Sequence, residues 1–180
     1  MTGPKRGISM RGEVLIEYDM RIKKEEHQDD LQLIDGVSAY DKPSILGCHP
    51  FVKHIHGVGG AVDITLAMFY WAVEATIQVD TTRVNGSGSR LLLSSFVSGL
   101  EEEIRLFHGS VRQLPERFVL STVLDTWMHL KFKFGDERGS HTNEFERCAS
   151  FKARQHGCAS QQIKLDDEDY IMVKVTWSTF

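Results

Sequence analysis

Three histidines crowd one short stretch, His49, His54 and His56, with Cys48 beside the first. On an extended segment, residues two apart point the same way, so His54 and His56 would present their rings side by side, as two metal ligands must. Zinc takes such nitrogen and sulfur ligands, and Cys48 or His49 would add a third from the loop. The spacing matches no standard zinc pattern, however, and a fourth ligand is not evident. Ordinary loop histidines are therefore the expectation, with His49, His54 and His56 kept as metal candidates. Behind them, Gly57-Val58-Gly59-Gly60 loosely resembles a phosphate-cradling loop. It lacks the Gly-Lys-Ser/Thr ending and leads into a strand pattern, so the anion-binding helix N-terminus is missing. A flexible turn is expected there.

Carboxylates gather at Asp166, Asp167, Glu168 and Asp169 and again at Glu101-Glu102-Glu103. Carboxylate pairs run glycoside hydrolysis, and loop oxygens hold calcium. Both runs read better as solvated tips. No Gly-x-Ser-x-Gly elbow is present. Cys158 lies near His156, but adjacency in sequence is not a nucleophile–base dyad, and an exposed thiol is expected. Lys131 and Lys133 alternate with Phe132, in line with Trp127 and His129. Such a stripe would touch RNA or an anionic partner, and the wet face of an amphipathic strand explains it equally well. No catalytic residue and no cofactor emerges from these patterns.

The whole chain sets bounds on all of this. Its 180 residues carry 21 Lys and Arg against 25 Asp and Glu, a formal net charge of -4. That balance argues against nucleic acid as a partner. Apolar residues make up 41% and charged residues 26%, the composition of globular rather than disordered protein. The longest apolar stretch, Ala61 to Val79, is broken by Asp63, Glu74 and Gln78, so no membrane span is expected. The N-terminus has no apolar h-region behind its charges, which makes a cytoplasmic location the default. Cys48, Cys148 and Cys158 are an odd count that fits reduced thiols, with a Cys148–Cys158 bridge left open. Asn85-Gly86-Ser87 matches the glycosylation sequon but reads as a tight turn.

The elements that must position these groups show themselves by period-two alternation. Val14, Ile16, Tyr18, Met20 and Ile22 share one strand face, with Glu17, Asp19, Arg21 and Lys23 on the other. Lys24 to Asp30 reads as a loop, and Leu31 to Val37 as a shorter strand. Tyr40 to Gly60 is dense in Pro and Gly and reads as a long irregular loop. Val62 to Met68 and Val73 to Val79 alternate as two strands, or as one strand broken near Tyr70-Trp71. Asn85-Gly86-Ser87-Gly88 predicts a hairpin joining the second of these to Leu91–Val97. Strands are expected at Ile104–Leu106, at Phe118–Leu124 (buried on both faces) and at Met128–Phe134. After a polar loop from Gly135 to Glu144, three more are expected at Phe151–Arg154, Gln161–Leu165 and Ile171–Trp177. About ten short strands at this spacing predict an all-β fold. It would be an antiparallel β-sandwich or flattened barrel with a single core, one domain over residues 1–180.

Several segments together resemble the grass-specific family called domain of unknown function 6598. Gly3-Pro4-Lys5-Arg6 is similar to its Gly-Pro-x-Arg entry, and Ile16-Glu17-Tyr18-Asp19-Met20-Arg21-Ile22-Lys23 to its first well-marked strand. Leu31-Gln32-Leu33-Ile34-Asp35-Gly36 follows. Gly60-Ala61-Val62-Asp63-Ile64-Thr65 with Ala72-Val73-Glu74-Ala75-Thr76-Ile77 resembles the central signature. Ser150-Phe151-Lys152-Ala153 and Val173-Lys174-Val175-Thr176-Trp177-Ser178 resemble the closing strands. Members of that family carry further strands before the Gly-Pro-x-Arg entry, so this chain looks like the C-terminal majority of a family domain. Edges left by such missing strands would invite self-association.

The resemblance also implies a context. Relatives carry this domain alone or attached to a ribosome-inactivating N-glycosidase, including jasmonate-induced proteins, which implies a stress or defence setting. N-glycosidase chemistry needs aromatic rings to stack adenine, and a Glu and an Arg on one helix. Glu74-Ala75-Thr76-Ile77-Gln78 has the Glu but puts Gln78 where the Arg should stand, on a strand-like pattern. Glu74 is therefore expected to be a solvent-facing strand residue. The functional expectation is a non-enzymatic binding or interaction module whose partner is a protein or small ligand. A carbohydrate- or metal-binding module, or an enzyme of unknown type, stands as the alternative.

Overall fold

Alternating apolar and polar side chains become strands with one buried and one wet face wherever a second layer covers the apolar side. A computed structural model describes residues 9–10, 12–24, 30–41, 49–83, 89–136, 145–165 and 169–179. Twelve strands run through the described residues, and the helical element among them is a single 3-10 turn, Val111–Gln113. Every strand pairing is antiparallel. Residues 9–68 form one compact unit, and residues 69–180 belong to another.

The first unit holds two two-stranded sheets. β1 (Val14–Ile22) pairs with β2 (Leu31–Tyr40), Val14 facing Tyr40 and Met20 facing Ile34. The expected face alternation holds as far as Met20: Val14, Ile16, Tyr18 and Met20 are covered and Glu17, Asp19 and Arg21 are exposed, whereas Ile22, expected on the covered face, is 48% exposed at the strand's end. The second strand runs on past Val37 to Tyr40. Tyr18, Ile34 and Tyr40 are buried, and the two phenol oxygens hydrogen-bond at 2.9 Å. β3 (Phe51–His56) pairs with β4 (Ala61–Leu66), His54 facing Asp63 and His56 facing Ala61.

Thus the long loop expected from Tyr40 to Gly60 contains a strand. Its flanking Pro50 and Gly57 hid the short alternation of Phe51 and Ile55. Proline before a strand's first residue removes no ladder bond, so Pro50 is compatible with it. Gly57 N–H donates to the Gly60 carbonyl at 2.7 Å and closes the β3–β4 turn. The glycines there serve close approach. A Cβ on Gly57 would collide with the Leu33 carbonyl, and one on Gly59 would lie 2.5 Å from the Gln32 carbonyl. The turn lies flat on β2, which replaces the flexible turn expected at these glycines.

The second unit is a β-sandwich. Its strands are β5 (Ala72–Arg83), β6 (Ser89–Val97), β7 (Ile104–Ser110), β8 (Phe118–Val123), β9 (Trp127–Asp136), β10 (Phe145–Lys152), β11 (Gly157–Lys164) and β12 (Tyr170–Ser178). One sheet has the order β10-β9-β6-β7 and the other β11-β12-β5-β8. Their inner faces meet in one apolar cluster. Met128, Leu130 and Phe132 of β9 and Leu91 and Leu93 of β6 pack with Ile171, Val173 and Val175 of β12 and Ala75 and Ile77 of β5. The sheets do not close into a barrel, so the sandwich reading holds and the flattened barrel does not.

Three local expectations change. β5 and β6 lie in different sheets and make no hairpin: β5 pairs with β12 and β8, and β6 with β7 and β9. The 84–88 segment, with the Asn-Gly turn and the sequon, lies outside the described residues. β8 buries Phe118, Leu120 and Thr122 on one face and half-covers the other, rather than burying both. β10 begins at Phe145, where the Phe145 ring stacks on Phe134 with centroids 5.0 Å apart. Cys148 and Cys158 are free and exposed, one on each sheet, so the bridge left open is not made.

Candidate functional site

The β3–β4 ladder sets His54 opposite Asp63, and the His54 Nδ1 and Asp63 Oδ1 atoms lie 2.5 Å apart. Both side chains are exposed, so the pair is a surface contact of small energetic worth. His54 and His56 do share the outward edge of β3, as their spacing predicts. His49 stands two residues before the strand and is exposed. Cys48 lies outside the described residues. Among the described residues no three of His, Cys, Asp or Glu converge to hold a metal ion. Asp63 as the partner of His54 escaped the sequence reading, since it follows from strand register.

His56 also borders an open depression of about 320 Å³ with Gln32, Leu33, Asp35, Gly57 and Val58. Its floor is the contact of the glycine turn with β2. Along the neighbouring strand pair, Asp19 accepts hydrogen bonds from Arg21 at 3.1 Å and from Gln32 at 2.9 Å. The Arg21 guanidinium, and then the Gln32 amide, hold the Asp19 carboxyl below its ordinary range, and Asp19 raises Arg21 in turn. The Gln32 contact ties β1 to β2, and the group converges on no reacting centre.

Two surfaces of the sandwich gather chemistry. The first is one end. Tyr70 and Trp71 precede β5 there, and Trp127 opens β9; they are 51%, 83% and 49% exposed. Leu124 N–H donates to the Trp71 carbonyl at 2.9 Å, and Asp125 N–H to the Ala153 carbonyl at 3.2 Å. Trp71 and Asp125 are the positive-φ non-glycine residues of the described chain, at 55° and 61°. Backbone strain and exposed aromatic surface thus fall together. The sequence marked this place as a break in alternation but not as a surface.

The second surface is the outward face of the β10-β9-β6-β7 sheet. Alternation along β9 sends Met128, Leu130, Phe132 and Phe134 inward and Trp127, His129, Lys131 and Lys133 outward. Lys131 Nζ lies 3.2 Å from Glu146 Oε1, and Lys133 Nζ 3.8 Å from Glu146 Oε2. Lys131 also sits over the Phe96 ring, 5.9 Å from its centroid. His129 Nδ1 and Ser150 Oγ are 2.8 Å apart. The stripe seen in the sequence is therefore real, and the register adds Phe96, Glu146 and Ser150 from neighbouring strands.

The remaining candidates stay apart. Glu74 is half-buried on the outward face of strand β5, as a strand residue and not on a helix, and Gln78 follows on the same face. Glu101, Glu102 and Glu103 are exposed in the β6–β7 connection. Asp166, Asp167 and Glu168 lie outside the described residues, and the Asp169 carbonyl accepts from Leu165 N–H at 2.9 Å. His156 and Cys158 are both exposed. No helix of the described residues is long and apolar enough to cross a membrane.

The molecule is thus an all-β protein carrying a two-sheet antiparallel sandwich. The chain belongs to the family described as domain of unknown function (DUF6598), whose model matches residues 1–176. No curated protein matches it in sequence. Among solved structures it is similar to human GIVD cytosolic phospholipase A2, at 10% identity and a TM-score of 0.43, covering 93% of this chain and 24% of that one. A likeness that distant carries no argument about what this chain does.

Proposed function

We propose that the chain is a non-enzymatic binding module that acts in the cytoplasm of a grass, in a stress- or defence-associated protein of the kind that also carries ribosome-inactivating domains. The observation that supports this reading is Trp71, 83% exposed on a positive-φ backbone and held there by Leu124 N–H. A residue kept in a strained conformation with its ring in water does nothing for the core, and such strain gathers at binding sites. Loops fixed by a rigid sheet are suited to recognition. A carbohydrate-binding role is the second reading, favoured by the adjacent ring of Tyr70, since flat aromatic faces next to polar groups suit sugars.

The test is a thermal melt of the chain with and without zinc, calcium, simple sugars and RNA, beside an assay for adenine release from ribosomes. A ligand that binds the folded state alone raises stability by about 2.7 kcal/mol at a hundredfold excess over its Kd. The expected result is a cooperative transition raised by one ligand class, with no adenine released. Adenine release by this chain would overturn the non-enzymatic reading.

A further inference from the structure

We infer that the outward face of the β10-β9-β6-β7 sheet binds single-stranded nucleic acid, an inference that names a partner for the binding module proposed above. Charge is the first argument. The net charge of -4 sums the whole chain, whereas the strands sort charge by sheet. On this face Arg90, Arg105, Lys131, Lys133 and Lys152 stand with Glu146, the carboxylate of that face among the described residues. On the outward face of the other sheet, Glu74 and Asp80 stand with Lys164 and Lys174. Among the described side chains, one sheet is basic and its partner carries as many acids as bases. Glu146 serves both Lys131 and Lys133, so the pairings leave the face positive.

Aromatic placement is the second argument, and it selects the partner. Trp127, His129, Lys131 and Lys133 follow one another on one face of β9 at steps of about 6.8 Å. Trp127 is half-exposed at one end of the row, and Phe96 lies opposite His129 on the next strand. Rings set beside cations on a rigid surface are what an unpaired strand requires, because bases stack on the rings while phosphates meet the lysines. An acidic peptide would use the cations and leave the rings idle. A duplex fits poorly: four strands about 4.8 Å apart make a face wider than the ~12 Å major groove. β9 is an inner strand with its other face in the core, so the row is held in place before any ligand arrives.

The test is fluorescence anisotropy with labelled oligouridine and oligothymidine of about fifteen nucleotides, a length that spans a single-domain site. Saturable binding is expected, weakening from about 50 to about 200 mM salt. Lys131→Gln with Lys133→Gln should weaken binding at least ~10-fold and flatten the log–log salt slope by about 1.4, at ~0.7 per lost phosphate contact. Trp127→Ala should weaken it about 10-fold, the scale of one lost stacking platform. Glu146→Gln should tighten binding, a gain that no folding defect imitates. Absence of saturable binding to either oligomer would overturn the inference. So would equal affinity for polyglutamate or for duplex, or binding indifferent to all these variants in proteins that still melt cooperatively. Oligouridine bound more tightly than oligothymidine would assign the site to RNA, and the reverse to DNA; both support it. Adenine release would overturn the non-enzymatic reading and leave this site standing. A melt raised by a sugar without oligomer binding would do the opposite.

Discussion

Trp71 holds a φ of 55° with its side chain 83% exposed. For a residue with a Cβ that conformation costs on the order of 1–2 kcal/mol, and glycine escapes the cost. Trp71→Gly should therefore be more stable than Trp71→Ala by about 1 kcal/mol in a denaturant titration. Equal stabilities would mean that the backbone there relaxes once the ring is gone. A second group is set by its surroundings. Burial, and then the hydrogen bond with Tyr18, push the Tyr40 phenol above its ordinary value. The folded state thus holds that proton more tightly than the unfolded chain. The stabilisation is fully present below the ordinary phenol range and is lost as pH rises through the folded value. An ultraviolet titration should show the Tyr40 phenolate forming above the ordinary phenol range, and Tyr18→Phe should bring it earlier. A Tyr40 that titrates in the ordinary phenol range would refute the pairing.

β12 shows what a single element contributes. Ile171, Val173, Val175 and Trp177 line one face and are all buried in the sandwich, while Met172, Lys174 and Thr176 face outward. Phe132 on β9 is equally enclosed. Trp177→Ala or Phe132→Ala should each cost ~3–5 kcal/mol in equilibrium unfolding, the loss of a large buried ring and the cavity it leaves. A loss below ~1 kcal/mol would place the residue outside the core. Trp177→Phe should cost less than Trp177→Ala. It keeps a ring in place and removes an indole N–H that is buried without a partner among the described residues. Edges are secured differently. Arg147 of β10 donates to the carbonyls of Lys164 and Leu165, at 2.9 and 3.2 Å, and so fastens the rims of the two sheets together.

The molecule as a whole distributes its stability unevenly. Residues 69–180 have two four-stranded sheets over one shared apolar cluster, whereas residues 9–68 have two two-stranded sheets and a few buried side chains. Two-stranded sheets are marginal without a substantial layer to cover them. Amide hydrogen exchange should accordingly be slowest in β5, β6, β9 and β12, the inner strands of the sandwich, and faster throughout β1 to β4. Protection in β1 to β4 equal to that in the sandwich would show that the smaller unit is stabilised by more than its own buried residues.

Much of the element list could be read from the chain, because alternate burial is a local pattern that each strand writes into its own residues. Val14 to Met20, Met128 to Phe134 and Ile171 to Trp177 all kept the faces their alternation implies, while Ile22 at the end of β1 is exposed. β3 was missed because six residues between Pro50 and Gly57 carry too little alternation to stand out from a loop. Pairing was not legible, because hydrogen bonds between strands join residues far apart in the chain. Val97 meets Met128, and Ile77 meets Val175, so β5 and β6 lie in different sheets and form no hairpin. The basic stripe on β9 was visible as a spacing of residues. That its charge collects on one sheet, and that Phe96 and Glu146 stand beside it, follows from which strands lie next to β9. Strand order is set by how the apolar faces of distant segments pack together, and no short window of sequence contains that information.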